Sequence, residues 1–164
     1  MRITFFNDLT ACEAREVDWP WEQLCDLIAN PPVYPTKHAM PLIKLGAFGD
    51  VRTAAGSLRH NANLLACSGL EGDYDGGVMT LCEAAERLAA AGVRSIVYTT
   101  PTHHPDRPRW RVLCPLAREI VPGARRGLMA RLNGVLNGAL SSESFTDSQA
   151  YFVGRLEGAD YAFR

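Results

Sequence analysis

Three carboxylates recur at every second position in the stretch LEGDYDGG: Glu71, Asp73 and Asp75. On an extended strand such residues point the same way. Like charges this close disfavour ionisation of all of them, so the pattern needs a reason. A divalent cation supplies one, because Mg2+ and Mn2+ prefer hard oxygen ligands. The two glycines that follow permit a sharp turn and the approach of a bulky ligand. A two-aspartate pattern alone is more often a solvated turn. Here it closes the apolar run NLLACSGL and precedes a well-capped helix, and ligands commonly sit at strand ends.

A second group lies in YTTPTHHPDRPRWRVLCPL, residues 98–116. His103 and His104 fall in a loop between two strands, and Arg109 and Arg111 share one face of the second strand. A histidine and alternating arginines on the sheet face that carries the acids would suit a triphosphate: metal bridges the phosphates and Arg clamps their oxygens in bidentate fashion. The plainer alternatives are a packed or surface histidine and an exposed sheet face. A third group is basic. Lys44 precedes the Gly-rich LGAFGDVRTAAGSLRHNAN, which carries Arg52, Arg59 and His60; this stretch either faces something anionic or is an ordinary solvated loop.

The elements that must hold these residues can be read from periodicity. RITFF predicts a first strand over 2–6. DWPWEQLCDLIAN predicts a helix with Asp18 as N-cap, entered through Pro20, with Trp21, Leu24, Cys25 and Ile28 on one face. A proline-rich loop follows it. NLLACSGLEGDYD predicts a long strand with Leu70 and Tyr74 opposite the acids. TLCEAAERLAAAG predicts a helix with a Thr80/Glu83 capping box, a buried face of Leu81, Ala84, Ala85 and Leu88, and Gly92 as its stop. RSIVYTT and RWRVL (109–113) predict a hairpin. A helix is expected over about 123 to 138, with Leu128, Leu132, Val135 and Leu136 as its stripe, then a strand over 148–155. The order implies an α+β fold: a mainly antiparallel sheet with helices packed on one face and the other face open as a platform.

The chain of 164 residues is 47% apolar and 21% charged, enough for one domain with a real core. Its formal net charge of −1 argues against a protein that coats nucleic acid through bulk positive charge, but leaves room for a local basic stripe. Five cysteines without a CxxC pair argue against a zinc ribbon and for reduced thiols in a cytoplasmic protein. No apolar stretch approaches the ~18 residues that span a bilayer, so no membrane partner is expected.

Taken together, GDYDGG, TTPTHHPDRPRWRVLCPL and SFTDSQAYFVGR resemble the archaeo-eukaryotic primase superfamily, closest to the primase–polymerases of plasmids, phages and mobile elements. The resemblance covers about residues 37 to 155; each motif is short, and their order and spacing carry it. It implies an RRM-like primase–polymerase core filling residues 1–164 as one catalytic domain, which can be the N-terminal part of a longer protein. It implies two Mg2+ or Mn2+ ions on Asp73 and Asp75, and His103, preceded by Thr102 where the family often has Ser, on the phosphates of the incoming nucleotide. Arg111 would support the triphosphate, with Arg109 and Lys44 as helpers. The family's third acid falls near SSESFTD. Ser141 or Ser142 stands where Asp is expected, Glu143 is the nearest carboxylate, Asp147 the next, and Glu71 is a further source of charge. The implied activity is template-directed nucleotidyl transfer, DNA primase or polymerase, with nucleoside triphosphates and single-stranded DNA template as partners and a replicative helicase as a further one. Arg52, Arg59 and Arg125, with Lys37, His60 and Arg126, are candidates for the template backbone, contacts that carry no sequence information. Tyr74, Trp110 and Tyr151 are candidates for base stacking. Two other readings compete. One is a non-catalytic nucleotide- or nucleic-acid-binding module on a degenerate primase scaffold. The other is a rolling-circle initiator or relaxase, against which THHP lacks the hydrophobic residue between its histidines.

Overall fold

The computed structural model describes residues 1–164. Its core is an antiparallel sheet that the chain builds late. The long strand β6 (Leu64–Tyr74) lies between β5 (Gly46–Phe48) and β8 (Trp110–Ile120), and β7 (Ile96–Thr99) flanks β8. Residues 162–164 run along the outer edge of β7, exchanging backbone hydrogen bonds with Val97 and Thr99. Earlier strands form a second antiparallel sheet in the order β2 (Ala14–Asp18), β1 (Arg2–Phe6), β4 (Leu42–Lys44), β9 (Tyr151–Phe152). A short parallel pair joins β10 (Arg155–Leu156) to β3 (Val33–Tyr34). The fold is α+β and mainly antiparallel, as the sequence implies.

The expected open platform is instead covered. Helices α2 (Leu81–Ala90) and α3 (Pro122–Val135) pack on one face of the β5–β6–β8–β7 sheet, where Leu70, Tyr74, Trp110, Val112 and Cys114 meet Leu81, Leu88, Met129 and Leu132. On the opposite face Ile96, Tyr98 and Leu113 pack against Ile3 and Phe5 of β1, Ile43 of β4, and Leu24 and Ile28 of helix α1 (Trp21–Ala29). That second layer is why ten of the eleven β6 residues are buried where a half-exposed strand would alternate. Two connections weld the layers. Leu45 alone separates β4 from β5, so the chain changes sheet within one residue, and its carbonyl receives the amides of Ser68 and Gly69. Gly69 permits this corner: a Cβ there would lie 2.8 Å from both the Cys114 carbonyl oxygen and Leu45 Cβ.

Several local expectations hold. Thr80 Oγ1 accepts from the Glu83 amide at 3.1 Å, and Gly92 takes φ +66° just after α2. Asp18 is not a helix cap. It ends β2 and pairs with the N-terminal amine at 2.8 Å, while Pro20 precedes α1 with no side-chain cap. β2 went unpredicted because AREVD is a polar edge strand, four of its five residues exposed, with no apolar period to read. The 148–155 strand is broken in two at Gly154, where φ is +125°. No helix is long and apolar enough to cross a membrane.

Candidate active site

Register places the acids. Asp73 of β6 stands directly opposite Arg111 of β8, which in turn stands opposite Tyr98 of β7. The face they share is the one turned away from α2 and α3. Arg111 Nε donates to Asp73 Oδ1 at 2.6 Å, its Nη1 donates to the Phe152 carbonyl at 2.9 Å, and its guanidinium carbon lies 5.1 Å from the centre of the Tyr151 ring. Arg111 is therefore fixed from three sides and only 6% exposed. Burial pushes the Asp73 carboxyl above its ordinary range, the Arg111 charge opposes that push, and Asp75 and Glu143 add to it.

Asp75 lies just past the end of β6 and is exposed; Arg109 Nε approaches its carboxylate at 3.6 Å. The loop that carries it is tied down from behind. Tyr74 Oη accepts from the amides of Val78 and Met79 at 2.8 and 2.7 Å, and Trp110 Nε1 donates to the Met79 carbonyl at 2.9 Å. Gly77, at φ +74°, makes the turn. Tyr74 and Trp110 stack on each other in the core with centroids 4.6 Å apart, and Tyr151 is 3% exposed. None of the three is open to a base, which corrects their candidacy as a stacking platform; they support the acidic loop and Arg111 instead.

Glu143, one of the candidates for a third acid, lies on a short 3-10 turn, Ser142–Phe145, docked on the end of β6. The Ser141 amide and hydroxyl both donate to the Asp73 carbonyl, at 2.9 and 3.1 Å, and Ser144 Oγ accepts from the Asp73 amide at 3.0 Å. Glu143, between these serines, reaches the same cavity as Asp73 and Asp75. The cavity is about 310 Å³ and is lined also by Arg111, Lys37, Arg59, Gln149 and the β9 segment. Arg59 points a buried Nε into no hydrogen bond, and burial lowers its pKa. Lys37 Nζ sits 5.2 Å over the Phe152 ring. The cavity wall thus carries three carboxylates and three cations. A larger cleft of about 780 Å³, between the end of α1 and residues 161–164, has Arg155 and Arg164 on its wall and no carboxylate side chain.

Other sequence candidates lie elsewhere. Lys44 is 0% exposed and bonded to Glu71 Oε2 at 2.8 Å, so it is an internal cation rather than a helper for a triphosphate. Arg125 is also 0% exposed, inside the sheet–α3 interface, which removes it from the template-facing surface. Both corrections have one cause: Glu71 points into the protein interior and collects both cations. Asp147 does not line the acidic cavity, and its Oδ1 is buried without a hydrogen bond. Arg52 closes its own loop, donating to the Cys12 and Gly56 carbonyls at 2.6 and 2.8 Å. His103 lines a different cavity, about 220 Å³, with Thr80, Cys82, Pro105, Pro108 and Arg164. Its Nδ1 accepts from the Arg109 amide at 3.1 Å, which leaves the proton of the neutral ring on Nε2 as a donor. Arg109 links the two regions, since its guanidinium also donates to Thr102 Oγ1 at 3.2 Å. The contacts of Ser141 and Ser144 with Asp73 have no periodic or charge signal in the sequence; only the docking of their turn reveals them.

The donor set suits a divalent ion in kind: Asp73, Asp75 and Glu143 are hard oxygen donors on one wall, and their mutual repulsion favours a cation. As they stand, no three His, Cys, Asp or Glu side chains are close enough to share one ion, and Arg111 holds Asp73 Oδ1.

No protein-family model and no curated protein matches the chain. Among solved structures it is similar to the AEP domain of the cyanophage S-2L primase–polymerase, with 13% identity and a TM-score of 0.53 over 99% of this chain and 79% of that one. It is also similar to the polymerase domain of Mycobacterium tuberculosis ligase D in complex with DNA, with 16% identity and a TM-score of 0.47 over 71% of this chain and 47% of that one. At such identities likeness speaks to fold, and the first comparison carries it: the β6–β8 sheet with its two helices and N-terminal layer shares the fold of that cyanophage AEP domain.

Proposed function

We propose that the protein is a metal-dependent, template-directed nucleotidyltransferase, a DNA primase or polymerase that uses the cavity between β6, β8 and the 141–152 segment. The observation that carries this reading is the convergence of Asp73, Asp75 and Glu143 with Arg59, Arg111 and Lys37 on one cavity wall within a primase–polymerase fold. Asp73, Asp75 and Glu143 would hold Mg2+ or Mn2+. When bound, such ions lower the pKa of an attacking 3′-hydroxyl and neutralise charge on departing pyrophosphate. The chain's own residues position the reactants, which is most of the work in phosphoryl-type transfer. Arg59 and Lys37 put two cations on the cavity wall for phosphate oxygens. His103 presents Nε2–H as a donor, with Arg109 between it and Asp75. The exposed Arg126 is left for a single-stranded DNA backbone, a contact that weakens with salt.

A second reading, a nucleotide-binding module without catalysis, draws on the 2.6 Å Asp73–Arg111 pair and the absence of a three-ligand cluster. Extension of a labelled primer on single-stranded DNA with Mn2+ and nucleoside triphosphates separates the two. Product formation that disappears in Asp75→Ala supports the polymerase; saturable triphosphate binding with no product supports the binding module.

A further inference from the structure

Three fully buried charges take no direct part in the proposed reaction: Lys44 on β4, Glu71 on β6 and Arg125 on α3, each 0% exposed. Glu71 Oε2 accepts from Lys44 Nζ at 2.8 Å and from Arg125 Nη2 at 3.1 Å, while Oε1 accepts from the Leu45 amide at 2.5 Å. Arg125 occupies a core position of α3, in step with Met129, Leu132 and Leu136, where an apolar residue would pack at no desolvation cost. Its guanidinium continues outward. Nη1 donates to the Ser144 carbonyl at 2.9 Å and more weakly to the Thr146 carbonyl at 3.4 Å, and Nη2 also reaches the Glu71 carbonyl at 3.2 Å. One planar group therefore ties the residue two before Asp73 to the residue one after Glu143.

We infer that the Lys44–Glu71–Arg125 cluster is a positioning device that sets the Glu143-bearing turn against Asp73. The inference deepens the nucleotidyltransferase reading and rests on it for the use made of Glu143. The serine contacts tie the turn to Asp73, and Arg125 ties it to Glu71. Five donors in a rigid fork let arginine serve two anchors at once, which a lysine point charge cannot reproduce. Glu71 keeps the fork in orientation, and Lys44 balances Glu71 from the N-terminal sheet.

Hydrogen exchange and Mn2+ titration by electron paramagnetic resonance test this without requiring catalysis. In Arg125→Met and in the triple variant Lys44→Met/Glu71→Leu/Arg125→Met, the amides of Ser144 and Thr146 are expected to exchange roughly tenfold faster or more, while β7–β8 amides keep their protection. Mn2+ affinity is expected to fall by about the same factor, and kcat to fall more than KM for the nucleotide. Arg125→Lys recovers only part of either loss. A folded variant whose turn keeps wild-type exchange and Mn2+ binding overturns the inference. Failure of both variants to fold also overturns it, assigning the cluster to stability alone. If wild type makes no product but the turn is released in Arg125→Met, the nucleotidyltransferase reading fails and the positioning device stands.

Discussion

Asp73 and Asp75 are two residues apart in sequence and sit in different electrostatic surroundings. Asp73 is 7% exposed and bonded to an arginine that is itself buried, whereas the Asp75 side chain is half exposed and meets Arg109 at 3.6 Å. Substitutions at the two should therefore separate function from stability. Asp75→Ala is expected to abolish nucleotide incorporation while changing stability by less than about 1 kcal/mol, the usual range for an exposed pair. Asp73→Ala is expected to abolish incorporation too, but to cost on the order of 3 kcal/mol, because it leaves Arg111 buried with only the Phe152 carbonyl and the Tyr151 ring. Asp73→Asn keeps an acceptor for Arg111 and should recover part of that loss without recovering activity. Urea titrations beside primer-extension assays check all three, and equal destabilisation by the two alanines would contradict the assigned geometry.

At the scale of elements, the sheet–helix interface and the corner between sheets make independent predictions. Thr80→Ala removes the acceptor for the Glu83 amide at the start of α2 and should cost about 1 kcal/mol while leaving the acidic cavity, which α2 does not line, unchanged. Gly69→Ala should cost more, about 1–3 kcal/mol of overpacking, since the added methyl meets the rigid Cys114 backbone and the Leu45 corner together. A denaturation midpoint for each variant decides the order. Elements with a strong period were legible in the sequence: the β6 acids opposite Leu70 and Tyr74, the Thr80 cap, and the β7–β8 hairpin that carries Arg111. What was not legible depends on contacts between distant segments. Nothing in the spacing distinguishes Glu71, which turns into the interior, from Asp73, which reaches a cavity; that difference comes from Lys44 and Arg125 arriving from other elements. Arg125 itself interrupts an otherwise apolar stripe, and the local pattern offers no partner to explain a charge there. Likewise the β1 strand and α1 helix are legible, but β2 has no apolar period and nothing local says that this layer packs across the sheet, so a covered face was expected to be open.

For the whole molecule, the layers on both faces of the central sheet bury acidic protons as well as apolar surface, and this fixes the response to alkali. Burial pushes the Cys114 thiol up to about 12 from its ordinary 9.0, with Glu71 adding to the shift. Burial likewise raises the Tyr98 hydroxyl to about 12 from 10.0, the Asp73 charge adding and Arg111 opposing. Tyr151 and Tyr161 are raised in the same direction, burial first. An acid whose pKa is higher in the folded state keeps its proton after the unfolded chain has lost it. Its contribution is complete below the unfolded value and is lost as pH climbs from there towards the folded value. Cys114 therefore withdraws stability from pH 9.0 upward, about 1.4 kcal/mol per pH unit, and Tyr98 joins it from 10.0. Lys44 acts in the opposite sense, because burial lowers its pKa and stability gains as the unfolded amine approaches its own value of 10.5. Between pH 9 and 10 Lys44 and Cys114 oppose each other; above 10.0 the tyrosines add to the loss, and past 10.5 the Lys44 gain is complete, so the net change there is a loss. The melting temperature should decline once pH passes the ordinary tyrosine value of 10.0, and Cys114→Ala, though less stable at pH 7, should lose less stability than the wild-type chain as pH rises from 9.0. Parallel alkaline limbs for the two proteins would mean that the thiol is not shielded from water by the helical layer, and that this face of the sheet is more open than its packing indicates.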